Sequence, residues 1–480
     1  MKNVDIIQLA FIRNLSDFHI RNEIIEHTIN NKWGTKHMRY AQKTENSCLR
    51  RRGARRWLGR FAMSAALTVT MVGAALSQET YKPADPEPGT DIPSATVRMG
   101  ILPYANASFP VIGIKEGFFS DVGITIPNGG VTVTEEQAHS LMVRGDIDVA
   151  HGYPPNFLPT YQNSRVVKQI GFHDSIAAGC MLASPEQNLK GFKDYFAEGK
   201  SFDEAIKSAM APMQGKELAS SSVPNERLFE ETITQLTDVT FSPLILDDPN
   251  ILVSAAAGKI QFAHPSGAPV VFSLLKSGWK PLVCLDDMIA HGPVNKDSPI
   301  LRQISLVGPE ANVNWINKNP NTVLRYLSAV WRTIDAIKAD PKLYDIQAPV
   351  LNSITGTNLT GEDIAGTVKT FHPYIPYEEN TRFYTDEKSP LYYKPIYEAI
   401  IKGFAEHGIV PSDVTPEDFV WGGTLWNQME DYRKKTDKIL SSVDENSLSD
   451  ENKALVEKSR QFYGWHDYLD AYRFALAATK

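Results

Sequence analysis

Between residues 96 and 285, short apolar runs alternate with segments whose apolar residues recur every three or four positions. Short apolar runs predict buried strands, whereas the second spacing predicts helices with one apolar face. The predicted strands cover residues 96–102, 123–126, 147–150, 166–172, 217–220, 240–246, 259–263 and 281–285. Strands that alternate with helices over short connections are typical of a mostly parallel sheet covered by helices.

Two helices in this region carry recognisable end signals. Ser108 predicts a cap, and Pro110 a first-turn position, for a helix that ends at Gly117. Thr134 and Gln137 have the spacing of a capping box at the start of the next helix. These signals place the loops that follow the first and second strands directly before helix N-termini.

The strand–helix pattern restarts after a polar stretch at 184–215, which predicts a second α/β unit. From Val313 onward the pattern is helical. The main predicted helices cover residues 315–339, 361–371, 395–406, 415–438 and 451–478. A chain of 480 residues is long enough for two or three domains, each with its own core.

Residues 1–78 carry a net charge of +8, whereas the rest of the chain carries −15. A run of arginines precedes an uncharged stretch from Phe61 to Leu76, which is shorter than the roughly 20 residues of a bilayer span. Small residues up to Ser77 end the stretch. This pattern predicts a secretory signal peptide and a periplasmic protein, with a single membrane anchor as the alternative. Residues 79–95 form a Pro-rich polar leader.

Charge and motifs exclude several classes of function. The acidic body of the chain lacks the basic face that nucleic-acid binding needs. The nucleophile elbow, the Walker A loop, the zinc-protease motif and the dinucleotide fingerprint are not found, so the chain is not expected to be an enzyme. The 11 histidines lack metal-ligand spacing, so neither a metal site nor a cofactor is expected.

Three segments carry a family resemblance: VRMGILP and IKEGFFSDVGI at 97–103 and 114–124, LMVRGDIDVA with GYPP at 141–155, and QGKELA at 214–219. They resemble solute-binding proteins of the nitrate/sulfonate/taurine importer family, which also contains thiamine-pyrimidine-precursor proteins. The resemblance covers residues 96–340. The chain departs from it at Gln261, near which the family often has an Asp, and at Tyr153, where an acidic residue is common.

The resemblance implies the α/β fold of a type II periplasmic binding protein, in which two lobes joined by two crossover segments close on a ligand. The implied division is 1–78 for the upstream extension and signal peptide, 79–95 for the leader, 96–180 for the first part of lobe 1, 181–284 for lobe 2, 285–345 for the return to lobe 1 and 346–480 for a helical C-terminal elaboration. Cys180 and Cys284 fall at the two crossings. They either pair as a disulfide, which an exported protein permits, or remain two buried thiols.

Ligands of open parallel sheets bind beyond the carboxyl ends of the strands. Four loops of this chain meet that description, at 103–108, 151–156, 220–222 and 264–267. Their polar and aromatic side chains are the predicted ligand-binding residues: Tyr104, Asn106, Ser108, His151, Tyr153, Ser221, Ser222, His264 and Ser266. Some have a purely structural alternative, because Ser222 also fits a helix cap and His264 a hydrogen-bonded loop residue. The aromatic residues at 371–397 and Trp331 either wall the cleft or pack in a core.

The resemblance implies capture of a small organic molecule, an anion such as a sulfonate or carboxylate, for an ABC importer. The expected partners are that ligand and the permease–ATPase complex. The protein itself is expected to be a monomer that meets the membrane only through the transporter. Two alternatives stay open. One is a periplasmic enzyme on the same fold with His151 or His264 as base. The other is a binding subunit whose C-terminal helices contact a membrane or sensor partner.

Overall fold

Two β-sheets flanked by helices organise the part of the chain that the computed structural model describes, residues 80–158, 165–176, 179–295, 298–411 and 413–479. The predicted signal peptide and upstream extension lie outside these residues. The strands are β1 Ala95–Thr96, β2 Met99–Ile101, β3 Ile124–Thr125, β4 Val131–Thr132, β5 Val149–Gly152, β6 Val167–Gln169, β7 Asp174–Ile176, β8 Cys180–Ala183, β9 Glu217–Ser220, β10 Ser242–Ile245, β11 Phe262–His264, β12 Lys280–Cys284 and β13 Ser305–Asn312.

Helices occupy most of the remaining length. The α-helices are α1 Ala105–Ser108, α2 Pro110–Lys115, α3 Phe118–Asp121, α4 Glu135–Arg144, α5 Phe192–Ala197, α6 Phe202–Met210, α7 Pro224–Thr237, α8 Asp248–Ala256, α9 Ala268–Lys276, α10 Leu285–His291, α11 Val313–Lys318, α12 Pro320–Ala339, α13 Tyr344–Thr355, α14 Gly361–Phe371, α15 Thr381–Tyr384, α16 Tyr393–Glu406, α17 Gly422–Ser442, α18 Asp450–Gly464 and α19 Tyr468–Ala478. Among the described residues, no helix combines the length and apolar character of a membrane span.

The two sheets share one strand order. The lobe 1 sheet runs β4-β2-β5-β13-β6, with β7 also paired to β13, and the lobe 2 sheet runs β10-β9-β11-β8-β12. Strands β1 and β3 form a separate two-stranded sheet. In the sheet of each lobe the first three strands are parallel, and the fourth is antiparallel to both of its neighbours. That antiparallel strand is the one that enters from the other lobe, β13 in lobe 1 and β8 in lobe 2. The predicted two-lobed type II arrangement is therefore confirmed. Both sheets are mixed rather than mostly parallel, because the strand that enters from the other lobe is antiparallel to the strands beside it.

Strand β13 is absent from the sequence-based prediction. It is the central strand between β5 and β6, and all eight of its residues are buried. Gly308, Pro309 and Glu310 interrupt its apolar pattern, and a Pro argues against a central strand because it cannot donate to the ladder. The Pro309 carbonyl still accepts from the N–H of Ile170, at 2.8 Å, so this side of the ladder is kept.

Several predicted helix ends differ from those observed. The capping box is confirmed, because the Thr134 hydroxyl accepts from the Gln137 N–H and the Gln137 side chain accepts from the Thr134 N–H. Ser108 is not the cap of the helix at Pro110; it ends α1, and its hydroxyl donates to the Tyr104 carbonyl at 2.8 Å. The predicted helix at 315–339 is divided before Pro320, which lacks the N–H that a continuous helix would use. The predicted helix at 415–438 begins later, at Gly422, and the one at 451–478 is divided at 465–467.

The C-terminal helices pack on lobe 1 and contribute to its core on both sides of the sheet. One apolar cluster joins Val97 and Ile112 near the start of lobe 1 to Ile334 of α12 and Phe474 of α19. A second cluster joins Phe172 to aromatic residues of α15 and α16. The described residues between 346 and 479 thus form a layer of lobe 1.

Helix α14 also touches lobe 2. Phe371 packs in the same apolar cluster as Val271 of α9, and the Lys276 ammonium lies 2.9 Å from both carboxylate oxygens of Asp363. The C-terminal part therefore joins the two lobes along one side, in addition to the crossover segments.

Candidate functional site

Four strand-end loops, two from each lobe, surround one cavity with a volume of about 60 Å³. Lobe 1 supplies the loops after β2 and β5, and lobe 2 supplies those after β9 and β11. Further walls come from the start of α4, from β13 and from the residue after α14. The lining residues are Tyr104, Ala105, Asn106, Ala107, Glu135, Gly152, Tyr153, Asn156, Val223, Glu226, Ser266, Ala268, Ser305, Val307 and His372.

The lobes approach each other closely at this cavity. A Cβ atom placed on Gly267 of lobe 2 would lie 3.8 Å from Cδ1 of Tyr104 in lobe 1, a distance of ordinary van der Waals contact. The cavity is well below the ~300–1,000 Å³ of pockets that hold drug-sized ligands. Its size in this arrangement fits a ligand of few heavy atoms.

Four of the predicted ligand-binding residues line the cavity: Tyr104, Asn106, Tyr153 and Ser266. The hydroxyl of Tyr153 and Nδ2 of Asn106 are buried and have no partner at hydrogen-bond geometry among the described residues, although the side chains of Ser305 and Asp174 lie near them. A buried polar atom without a partner costs about 1–3 kcal/mol of stability. These two atoms therefore favour binding of a group that would form hydrogen bonds with them.

Glu135 is the first residue of α4, and its side chain is buried against the cavity with Oε1 unpartnered in the described structure. Burial raises the pKa of this carboxyl to about 7, although the nearby His139 opposes the shift. Behind it, Nε2 of His139 lies 2.9 Å from the buried carboxylate of Glu310. Burial alone would lower the pKa of His139, but the carboxylates of Glu310, Glu135 and Glu136 together outweigh burial and raise it.

Glu226 faces the cavity from lobe 2, in the first turn of α7. Burial raises the pKa of this carboxyl well above its ordinary value, and the neighbouring carboxyls of Asp248 and Glu135 add to the effect. Asp248 itself accepts from the N–H groups of Ser266 and Gly267, at 3.0 and 2.7 Å. Asp248 therefore fixes the loop after β11, while Oε2 of Glu226 has no partner among the residues described.

Two predicted residues of lobe 1 are used inside the protein. The Ser108 hydroxyl accepts from the Gln347 side chain at 2.7 Å. Both ring nitrogens of His151 are engaged, Nδ1 at 3.0 Å from His173 and Nε2 at 2.8 Å from the Tyr326 hydroxyl. Burial lowers the pKa of His151 to about 3, so its imidazole is neutral at physiological pH. Neither residue lines the cavity.

The remaining predicted residues of lobe 2 also lie off the cavity. The Ser221 hydroxyl accepts from the Val223 N–H at 3.2 Å, and Ser222 is exposed. The N-cap position of α7 is Val223, so the alternative of Ser222 as that cap is wrong. His264 is fully buried at the end of β11, with Nδ1 3.4 Å from the Glu230 carboxylate.

Sequence reasoning missed the carboxyl groups and the residues that only the fold brings to the cavity. Glu135 and Glu226 each lie in the first turn of a helix, where acidic residues are common for a local reason. His372 follows α14, far from the strand ends in sequence. Both of its ring nitrogens lack a partner among the described residues, and burial lowers its pKa to about 4. One sequence signal could have identified Glu226 as a site residue, namely its position just after a strand-end loop.

The aromatic residues considered as cleft walls are core residues. Trp331 packs in the first apolar cluster of lobe 1, and the residues between 383 and 397 pack in the second. Their burial answers the alternative that the sequence left open.

Cys180 and Cys284 form a disulfide in the structure, with Cα atoms 4.1 Å apart. The two residues pair directly between β8 and β12, at the points where the chain enters and leaves lobe 2. Within the described ranges, the one group of three close metal-ligating side chains is Cys284 with Asp286 and Asp287. Its sulfur is bound in the disulfide and is not a free thiolate.

No family model and no curated protein matches this sequence. Similar solved structures include the alkanesulfonate-binding protein of Xanthomonas axonopodis pv. citri bound to MOPS, at 13% identity over 69% of this chain and 99% of that chain, with a TM-score of 0.48. The periplasmic nitrate-binding protein of Synechocystis PCC 6803 is 11% identical over 72% of this chain and 89% of its own, with a TM-score of 0.47. The periplasmic aliphatic sulphonate binding protein of Escherichia coli is 13% identical over 68% and 92%, with a TM-score of 0.46. Similarity at this level assigns no ligand and no residue role.

Proposed function

We propose that this chain is an extracytoplasmic solute-binding protein that captures a small polar molecule between two lobes and delivers it to an ATP-driven importer. The observation that carries the proposal is the cavity between the lobes, lined from both sides by buried polar atoms without partners. Lobe 1 contributes Asn106, Glu135 and Tyr153, and lobe 2 contributes Glu226. A ligand that forms hydrogen bonds with atoms of both lobes favours the closed arrangement over an open one.

Export is supported by two independent features. The sequence upstream of the leader has the basic, apolar and small-residue parts of a secretory signal. The disulfide between Cys180 and Cys284 is the kind of bond that persists in an oxidising compartment. The permease–ATPase partner and a monomeric state remain proposals that rest on the family resemblance.

The ligand predicted from the resemblance, a sulfonate or carboxylate, does not suit the charge of the cavity. Among the lining residues that the structure describes, none is Lys or Arg, whereas Glu135 and Glu226 are carboxyls. An anion would therefore be desolvated beside two acidic groups without a counter-charge, which is unfavourable. The proposed solute class is small and polar, with hydrogen-bond donors for these carboxyls.

An enzymatic role is less well supported than binding. The histidines considered as bases, His151 and His264, lie outside the cavity, and the imidazole of His151 is held by Tyr326 and His173. The described cavity residues form no nucleophile–base pair with hydrogen-bond geometry. Turnover of a bound solute would contradict the proposal.

A ligand screen tests the proposal. The mature protein from residue 78 onward is tested for thermal stabilisation by organic cations, neutral polar solutes and anions, and each hit is examined by small-angle X-ray scattering. At least one solute should raise the melting temperature and reduce the radius of gyration.

Tyr153→Phe serves as the site variant, because it removes an unpartnered hydroxyl with little expected loss of stability. It should weaken binding of the hit at least several-fold, whereas Tyr472→Phe, in the C-terminal helix α19, should not. Absence of any solute that changes both melting and compactness would overturn the proposal.

A further inference from the structure

Resting on the proposed function, we propose that the captured solute is a small organic cation held between Glu135 of lobe 1 and Glu226 of lobe 2. The two carboxyls come from opposite lobes and line the same cavity. Their side chains leave one oxygen each, Oε1 of Glu135 and Oε2 of Glu226, without a partner among the described residues. These two oxygens accept N–H donors from a bound ligand.

The site does not rest on acidic residues alone. The Tyr153 hydroxyl, Nδ2 of Asn106 and both ring nitrogens of His372 are also buried, unpartnered within the described residues and part of the lining. Residues Asn106, Tyr153 and His372 are 2%, 4% and 1% exposed. A ligand with N–H donors and at least one acceptor atom would form hydrogen bonds with these buried polar atoms. The ring of Tyr104 beside the carboxyls adds a surface that suits a cation.

The charge across the cavity couples the ligand to closure. Two carboxylates that approach from opposite lobes repel, so the closed, empty form must keep them protonated or pay a Coulomb cost. A cation between them removes the repulsion and lets both carboxyls ionise. The ligand thereby stabilises the closed form more than the open form, which is the requirement for ligand-driven closure.

The groups that surround the two carboxyls do not supply a positive charge that would neutralise them. Glu135 is faced by Tyr104, Asn156, His139 and Glu310, and the positive charge of His139 is already paired with Glu310 at 2.9 Å. Glu226 is faced by acidic and phenolic side chains, none of which carries a positive charge: Tyr104, Tyr153, Asp248, Glu230 and Glu135. The Glu230 carboxylate is the partner of His264 and Arg227.

The chemistry favours an organic cation over a metal ion. In the described part of the chain, no group of three carboxylate, imidazole or thiolate ligands within 4.8 Å includes Glu135 or Glu226. Divalent metal ions need several such ligands converging on one point. An amidine or amine, by contrast, is bound by separated acceptors because its N–H donors point in different directions.

Three probes with the same heavy-atom skeleton separate charge from shape: acetamidinium, acetamide and acetate. They are added to the mature protein up to millimolar concentrations, and binding is followed by calorimetry and thermal shift at pH 6 and pH 8. Acetamidinium should bind at least tenfold more tightly than acetamide, and acetate should not bind. Acetamidinium binding should strengthen from pH 6 to pH 8 and release protons, because ionised Glu135 and Glu226 attract the cation.

The variants Glu135→Gln and Glu226→Gln keep the side-chain shape and remove the charge. Each should weaken acetamidinium binding at least tenfold and reduce the proton release. Glu136→Gln is the matched control, since Glu136 lies beside Glu135 in the first turn of α4 but is exposed and does not line the cavity. Its binding should equal that of the wild type.

Acetamidinium binding that is unchanged in both cavity variants, or no acetamidinium binding at all, would overturn the inference. Tighter binding of acetate, nitrate or methanesulfonate would do the same, as would stabilisation by Mg²⁺ or Ca²⁺ that EDTA reverses. If an anion or a neutral solute closes the lobes, the proposed function stands and only this inference fails. If no solute of any charge changes melting and compactness, the proposed function itself fails.

Discussion

Glu135 shows how a single position combines a local and a tertiary role. As the first residue of α4 it suits the positive end of the helix dipole, which favours the ionised carboxylate. Burial at the cavity has the opposite effect and wins, because its pKa is raised to about 7. A residue that looks like an ordinary helix start in the sequence is therefore a buried titrating group in the folded protein.

The pH dependence of stability follows from this shift. An unfolded Glu has a pKa of about 4.5, so between that pH and about 7 the folded protein keeps a proton that the unfolded chain releases. The free energy of unfolding should therefore fall as pH rises through this window. By linkage, Glu135→Gln should gain up to about 3 kcal/mol over the wild type between pH 4.5 and pH 8.

Urea unfolding at several pH values measures this difference without any ligand. Buried carboxyls that Glu135 does not influence, such as Asp174, change the wild type and the variant alike, so only the difference between the two proteins is interpreted. Glu226, whose pKa Glu135 helps to raise, adds to that difference in the same direction. Glu136→Gln should show no such trend. A difference that is flat with pH would mean that Glu135 titrates as an exposed carboxyl.

At the scale of elements, close helix packing around lobe 1 depends on a small residue. Gly113 is buried in α2, where an added Cβ would overlap Oγ1 of Thr333 on α12 and lie 3.1 Å from Phe119. The Thr333 hydroxyl donates to the Ala329 carbonyl at 2.7 Å, so it is held in place. The C-terminal helix α12 thus approaches the first helices of the lobe at a point that admits no side chain.

Gly113→Ala should lower the free energy of unfolding by about 1–3 kcal/mol, because it overpacks this contact. Gly366→Ala in α14 is the matched control, since its nearest neighbour would be Phe272 at 3.8 Å. The control should be neutral or stabilising by up to about 1 kcal/mol, because Ala restricts the unfolded chain. Equal effects of the two substitutions in chemical unfolding would contradict the packing described here.

At the scale of the whole molecule, the disulfide closes lobe 2 on itself. Cys180 and Cys284 are 104 positions apart, and between them lie all the strands and helices of the lobe 2 sheet. The bond therefore restricts the unfolded form of this lobe while leaving lobe 1 unconstrained. It also fixes the two crossings to each other.

The double variant Cys180→Ala/Cys284→Ala should lower the free energy of unfolding by about 3–5 kcal/mol, the range for a loop of ~100 residues. Hydrogen exchange should locate the loss mainly in β8 to β12. The wild type unfolded and refolded with a reductant should match the variant. An unchanged unfolding midpoint, or loss of protection mainly in lobe 1, would show that the bond does not act through lobe 2.

Much of the secondary structure depends on local sequence patterns and could be predicted from the sequence. Strand β9 and helix α14 begin and end where the sequence pattern predicts, because Gly361 and Pro373 mark the ends of the helix and one of its faces is apolar. The sequence pattern did not predict strand β13, because neighbouring strands and helices bury all of its residues, polar and apolar alike. The return of the chain to lobe 1 was expected only from the family resemblance, and the contribution of the C-terminal helices to its core was not expected, since it depends on packing rather than on pattern.

The candidate site divides in the same way. The sequence by itself placed four loops beyond the ends of predicted strands, and the fold brings the two loops of each lobe to one cavity. Of the residues named there, Tyr104, Asn106, Tyr153 and Ser266 line it. Only the tertiary structure decided that Ser108 and His151 face inward and that carboxyls from both lobes share the cavity. The direction of a side chain and the loss of water around it are set by contacts between segments far apart in sequence, and those two properties determine the charge that a ligand meets.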